Sequence, residues 1–334
     1  MPGGVSAPPR STFAQAFLSP DESRLRAGWR LLLHGGLALI LSLLFSLAVL
    51  LPLTLLAALQ ALLPKSFGLE LDLLGGLLQT GPSSGQLLTL SAVVSFPSLT
   101  LATWLARRLF DRRSFRSLGF EPGGLAGRDL LVGFWLPGLL FGLIFAVERA
   151  LGWIRVEGWL WESRPALGVV AVVGGSLAVF AVVGFYEELS FRGYYLYNLT
   201  DGLGLAPAVL LSSLVFALAH AGNPFASWTS TVGLIAAGLF LAYAWLRTRR
   251  LWLPIGLHLG WNFFQGTIFG FPVSGTTAPG LLVQRAEGPP LLTGGGFGPE
   301  AGLIVLPAML LGAWLIRLYT AGRALPVSEP VVIA

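Results

Sequence analysis

The sequence predicts an all-α, polytopic transmembrane helix bundle of about eight spans, with both ends on the cytoplasmic side (N-in and C-in). Three observations carry that prediction. The 334 residues are 54% hydrophobic and only 11% charged, with a mean hydropathy of +0.76, far from a soluble domain. Apolar runs long enough to cross a hydrocarbon core ~30 Å thick recur along the chain. The basic residues fall unevenly on alternate connections, as they do in oriented membrane proteins.

The first 30 residues are polar and include Pro8, Pro9, Pro20, Asp21 and Glu22. They lack the short apolar core and small-residue cleavage site of a signal peptide, so the first span is expected to start insertion and stay in the protein. Spans are then expected over roughly 30–55, 85–106, 129–151, 170–198, 206–222, 229–247, 251–269 and 300–320. The first apolar run continues to Leu63, and Pro52 is expected to kink or end it. Pro97 and Pro137 fall inside the second and third spans, where neighbouring helices must satisfy the freed carbonyls.

Placing the N-terminus inside puts 16 of the 21 basic residues, Arg192 among them, on inner segments and five on outer ones. The arginines are scattered between apolar runs, so they orient helices rather than bind nucleic acid. With no cysteine there is no disulfide framework, thiol nucleophile or thiolate metal site. The connections 64–84 and 270–299 are rich in Gly, Pro, Ser and Thr. For the longer one a structureless outer cap is expected, with a lid over a cavity as the alternative. No repeat of fixed period is present. The chain thus divides into a polar segment (1–29), three spans (30–164), a motif-bearing core of four spans (165–268), an outer loop (269–299) and a last span with its tail (300–334).

Within the core lie Glu187-Glu188-Leu189-Ser190-Phe191-Arg192, then His220, then His258 and Asn262. Charges at membrane depth cost a few kcal/mol each on insertion scales and commonly mark function. Glu188 and Arg192 are i,i+4 on a helix and can pair. Glu187 is turned by about 100° from Glu188 and needs another partner. Counting back from Thr200, Glu187 is about 20 Å from the helical hairpin near Asp201–Gly204, and His220 is roughly 22 Å from it on the other arm. From Arg250, His258 and Asn262 lie about 12 and 18 Å in, on one helix face. All four groups are therefore expected near one depth.

Taken singly, each group also fits a structural role, as a helix-fixing ion pair, a core histidine on a carbonyl, or interhelical glue. His34, beside Gly35-Gly36, has no companion in the sequence and is expected to be structural. Together the groups suit chemistry. A carboxylate in an apolar cavity holds its proton more tightly than in water, which suits a general base near neutral pH. A histidine beside it helps orient and deprotonate water, and a second histidine with an asparagine amide provides donors for a developing oxyanion. Ser212 and Ser213 have no nearby base in sequence, so hydrolysis of an amide by activated water fits better than covalent catalysis.

These residues resemble the CPBP family of glutamate-type intramembrane proteases, which includes type 2 CAAX prenyl endopeptidases and bacteriocin-processing or self-immunity proteins (the Abi group). The family pattern EExxxR, FxxxH and HxxxN is matched by Glu187, Glu188 and Arg192, by Phe216 and His220, and by His258 and Asn262, over roughly residues 165–268. The resemblance implies that Glu187 and His220 activate the attacking water, that His258 and Asn262 form the oxyanion hole, and that Glu188 and Arg192 support them. No cofactor is expected. Zinc on Glu187, His220 and His258 is the alternative, although neither an HExxH motif nor a cysteine ligand is present.

The expected function is an intramembrane endopeptidase hydrolysing a peptide bond of a membrane-associated protein or peptide. The alternative is a non-catalytic membrane immunity or scaffold protein with a structural polar cluster. A proton-relaying transporter lacks the internal repeats such proteins carry. The expected partners are that substrate and the lipid bilayer, without nucleic acid. The Arg-rich, Lys-poor composition is that of a GC-rich bacterium, so prenylated substrates are not expected and the bacterial cytoplasmic (inner) membrane is the expected location.

Overall fold

The apolar run beginning at Ala27 forms one helix, α1 (Ala27–Leu62), in a computed structural model that describes residues 16–19, 24–62, 84–120 and 125–323. The helix continues through Pro52 rather than ending there, because the apolar sequence on both sides sustains it across the one lost hydrogen bond. Next come α2 (Ser84–Ala106), which runs on as a π-helical turn to Asp111, and α3 (Ala126–Ala150). A strand, β1 (Ile154–Trp159), leads to α4 (Ala166–Glu188). A π-helical segment, Leu189–Tyr195, carries α4 without a break into α5 (Leu196–Leu203). The hairpin partner α6 (Leu205–Ala219), then α7 (Trp228–Thr248) and α8 (Trp252–Asn262) follow, α8 being prolonged by a π-helical turn, Phe263–Ile268. The last helix is α9 (Val305–Tyr319).

The architecture is an all-α membrane bundle, but the expected eight spans are not found. Among the described residues five helical stretches are long and apolar enough to cross a membrane: Ala27–Leu56, Gly85–Asp111, Ala126–Ala150, Ala166–Leu203 and Trp228–Thr248. The other three expected spans are cut short by turns that hydropathy does not register. Helix α6 stops at Ala219 and α9 starts only at Val305, 15 residues each, so each rises about 22 Å against a core of ~30 Å. Helix α8 has 11 residues before it loosens into its π turn. The N-in, C-in orientation assumed eight alternating crossings and loses its basis with them.

The 270–299 connection is also not structureless. It contributes β2 (Leu282–Ala286), antiparallel to β1 with Ile154 opposite Ala286 and Trp159 opposite Leu282. It buries Phe271, Val273, Leu282 and Phe297, so its apolar side chains fold it back onto the bundle. The 64–84 connection lies outside the described residues except for Ser84.

Two sets of contacts position the core. At one end, Arg30 and Arg107 are fully buried on Asp111, at 3.3 and 2.8 Å. Arg30 also pairs with Asp201, and Arg24 reaches Asp201 at 2.9 Å. This ties α1, the end of α2 and α5 together, so these arginines are ion-pair partners. Deeper in, α3 and α8 lie side by side with backbones nearly touching. A Cβ on Gly256 would run into the Leu130 carbonyl, and one on Gly260 into the Phe134 carbonyl. Close approach through small residues is how apolar helices associate without a hydrophobic driving force between them. Here it fixes the helix that carries His258 and Asn262. Gly260→Val is therefore expected to destabilise the bundle by about 1–3 kcal/mol through overpacking. Thermal unfolding in detergent measures this, and a wild-type midpoint would contradict the close approach of α3 and α8.

Candidate active site

The long run through α4 and α5 contains the Glu-Glu pair where its geometry changes. Glu187 and Glu188 are the last α-helical residues before the π-helical segment, a deviation that is often found at functional sites. The Ser190 hydroxyl donates to the Tyr186 carbonyl at 2.7 Å, competing with the backbone ladder at that point. Glu188 points into the protein, with its side chain wholly buried. Its Oε1 accepts from Arg192 Nη1 and from His258 Nδ1, each at 2.8 Å. Arg192 also donates to the Gly238 carbonyl on α7 at 3.2 Å and lies over the Phe216 ring at 4.4 Å. Such an arrangement neutralises a buried guanidinium on three sides.

Glu187 faces a different way. Its Oε2 lies 3.7 Å from His258 Nε2 and 3.9 Å from His220 Nε2, and it has no hydrogen-bond partner. His220 sits at the C-terminal cap of α6, and its Nδ1 lies 2.9 Å from the Phe216 carbonyl. A carbonyl only accepts, so Nδ1 carries the proton and Nε2 faces Glu187. On α8, Asn262 is one turn from His258. A cavity of about 610 Å³ is lined by Glu187, His220, His258 and Asn262, while Glu188 lies behind its wall. Most of the remaining lining is apolar, with Leu87, Leu99, Phe180, Phe240 and Trp261 among it.

The structure thus places all four expected catalytic side chains on one cavity and sets the expected supporting pair against it. It also connects the two groups, because His258 reaches Glu187 with one ring nitrogen and Glu188 with the other. His34 does have companions. Its Nε2 is 3.1 Å from the Thr103 hydroxyl and its ring stacks on Tyr194 at 4.2 Å. Ser212 and Ser213 bond back to the Val209 carbonyl. Among the described residues, no group of three or more His, Cys, Asp or Glu is arranged to hold a metal ion.

Three polar residues of the cavity wall, Asn223, Ser274 and Glu300, were not anticipated. Burial pushes the Glu300 carboxyl above the usual carboxylate range, while hydrogen bonds from Ser274 and the nearby His220 act against that rise. The available signal was an acid with no basic neighbour, at the head of an apolar run.

Residues 169–264 match the family model of type II CAAX prenyl endopeptidase Rce1-like proteins, a stretch that holds all three motifs. Over that stretch the chain is similar to CPBP/Rce1-like membrane proteins. A Bacillus subtilis (strain 168) protein named "Putative membrane peptidase YdiL" is 26% identical over 174 residues, which span 52% of this chain and 68% of that protein. No solved structure matches the chain. With five long apolar helices among its described residues, this chain is an integral, multi-pass bacterial membrane protein.

Removing one member of a buried ion pair leaves the other charged and unpaired, at a cost of about 3–5 kcal/mol. Arg192→Ala in the Rce1-like core is expected to lose stability on that scale, read by denaturant unfolding in detergent. An unchanged unfolding free energy would contradict the buried Glu188–Arg192 pair.

Proposed function

We propose that this protein is an intramembrane endopeptidase of the bacterial cytoplasmic membrane, cutting a peptide bond of a membrane-associated protein or peptide. The observation that carries the proposal is the convergence of Glu187 Oε2 with two imidazole Nε2 atoms at 3.7 and 3.9 Å, facing an apolar cavity. Those distances exceed a direct hydrogen bond, which leaves room for a water molecule to contact all three atoms. Residues 165–268 form the functional core of this reading.

The protonation states follow from the partners. The His220 Nδ1–H donates to the Phe216 carbonyl, so its Nε2 accepts. His258 gives its Nδ1 proton to a carboxylate already paired with Arg192, and as an oxyanion donor it carries a second proton on Nε2. Two carboxylates, one guanidinium and one imidazolium then sum to zero charge, which suits a site remote from bulk water. Glu187 and His220 accept the proton of the attacking water as its oxygen bonds to the scissile carbonyl carbon. His258 Nε2–H and the Asn262 amide donate to the oxyanion. When the carbon–nitrogen bond breaks, the proton held by Glu187 and His220 passes to the departing amine.

Purified protein in proteoliposomes with bacterial membrane proteins supplies the test, with new N-termini identified by mass spectrometry. Glu187→Gln and His220→Ala are expected to abolish cleavage while keeping wild-type thermal midpoints. His258→Ala and Asn262→Ala are expected to lower turnover by roughly 10²–10³-fold, the usual cost of an oxyanion donor. Wild-type-like turnover by both the Glu187 and His220 variants would sink the proposal. Loss of folding in all four variants, with no cleavage by wild type, would favour a scaffold.

A further inference from the structure

The water-activating reading leaves one acid on the cavity wall without a role. Glu300 sits in the turn Pro299–Ala301, is 3% exposed, and shares the cavity with His220. Its Oε2 accepts from both the Ser274 N–H, at 2.6 Å, and the Ser274 hydroxyl, at 3.1 Å. Ser274 has a φ of +47°, a conformation L-residues rarely adopt, so two bonds to one carboxylate oxygen hold the chain where it would not otherwise rest.

The other face of Ser274 is held as well. Its carbonyl accepts from Asn223 Nδ2 at 2.8 Å, and the Asn223 N–H donates to the His220 carbonyl at 3.0 Å. An unbroken chain of hydrogen bonds therefore runs from Glu300 through Ser274 and Asn223 to the backbone of His220. That backbone needs fixing. His220 is the cap of α6, followed by a turn rather than by more helix, so only one side of it is held by regular structure. Glu187, by contrast, lies within a continuous helical run.

We propose that Glu300 is a positioning residue for His220, acting through Ser274 and Asn223 to keep the imidazole Nε2 turned toward Glu187. Its consequence for catalysis rests on the hydrolase reading, whereas the positioning itself is measurable without turnover. Ser274 and Glu300 both come from the long connection and its junction with α9, so that connection takes part in building the site.

Only three histidines are present, so histidine-selective isotope labelling of the full-length protein in nanodiscs gives three sets of ring signals for NMR. His34→Ala, His220→Ala and His258→Ala assign them. Glu300→Ala and Asn223→Ala are each expected to shift and broaden the His220 signals and leave those of His34 in place. Glu300→Gln keeps an oxygen that accepts from Ser274 and is expected to return the signals toward wild type. The double variant should move them no further than the stronger single one, because both act along one chain. In the cleavage assay the alanine variants should lower kcat by roughly tenfold or more, with KM nearly unchanged, as small misplacements of a reacting group do. Wild-type His220 signals in folded Glu300→Ala protein overturn the proposal. If Glu300→Ala does not fold, Asn223→Ala and Glu300→Gln decide the matter by the same signals. Moved His220 signals in a protein that cleaves nothing would keep the positioning role and remove the hydrolase reading, and unmoved signals with intact turnover would do the reverse.

Discussion

Glu188 Oε1 accepts two hydrogen bonds of 2.8 Å inside the bundle, one from Arg192 and one from His258. Few interactions reach as many elements. Through Arg192 the carboxylate is tied to the Gly238 carbonyl of α7 and to the Phe216 ring of α6, and through His258 it is tied to α8. A fully buried carboxylate is tolerated only when its charge is matched and its lone pairs are used. Four helical elements must therefore meet at one point, and the cavity wall is what they form around it.

The helix geometry follows from that demand. In an unbroken α-helix Glu187 and Glu188 point about 100° apart, so one of them must face away from the ion pair. The π-helical segment begins immediately after them, and side chains take over several carbonyls along it and the following turns. Ser190 bonds to Tyr186 O, Asn198 to Tyr194 O and Thr200 to Leu196 O. The helix is thus loosened where the site needs it and supported by its own polar side chains where it is loosened. Gly184 lets α8 approach α4, and an added Cβ there would come within 3.1 Å of the Leu259 nitrogen. This brings His258 within reach of both glutamates.

What the sequence made legible depended on which quantity was being read. The shared depth of Glu187 and His220 was predictable from helical rise, because the residues between each of them and the hairpin are nearly all helical. The number of spans was not, because a hydropathy average runs past the backbone turns, at His220 and before Val305, that set the helix lengths. The 270–299 connection looked empty because its Gly and Pro content concealed Phe271, Val273 and Phe297, which anchor it. Arg24 and Arg30 could be counted as orienting charges, but their acids, Asp201 and Asp111, are distant in sequence. Local pattern cannot show a pairing between residues 81 apart, as Arg30 and Asp111 are.

The two glutamates, adjacent and chemically identical, are separated by their partners. Glu188 has its charge matched at close range by the Arg192 guanidinium at 2.8 Å. Glu187 faces two imidazole nitrogens at 3.7 and 3.9 Å, too long for direct bonding, and no guanidinium is paired with it. Burial separates them in the same sense: the Glu188 side chain is fully buried, while that of Glu187 keeps 13% exposure on the cavity. The distinction is between an acid whose Oε1 is paired with a guanidinium and an imidazole inside the protein and one that faces the cavity. His258 lies between the two, hydrogen-bonded to Glu188 at 2.8 Å and facing Glu187 across 3.7 Å, so the ion pair behind it holds the imidazole in place. In the proposed mechanism a fixed charge pair therefore stands behind the carboxylate that takes up the proton, so that the site can bury charge and still move protons.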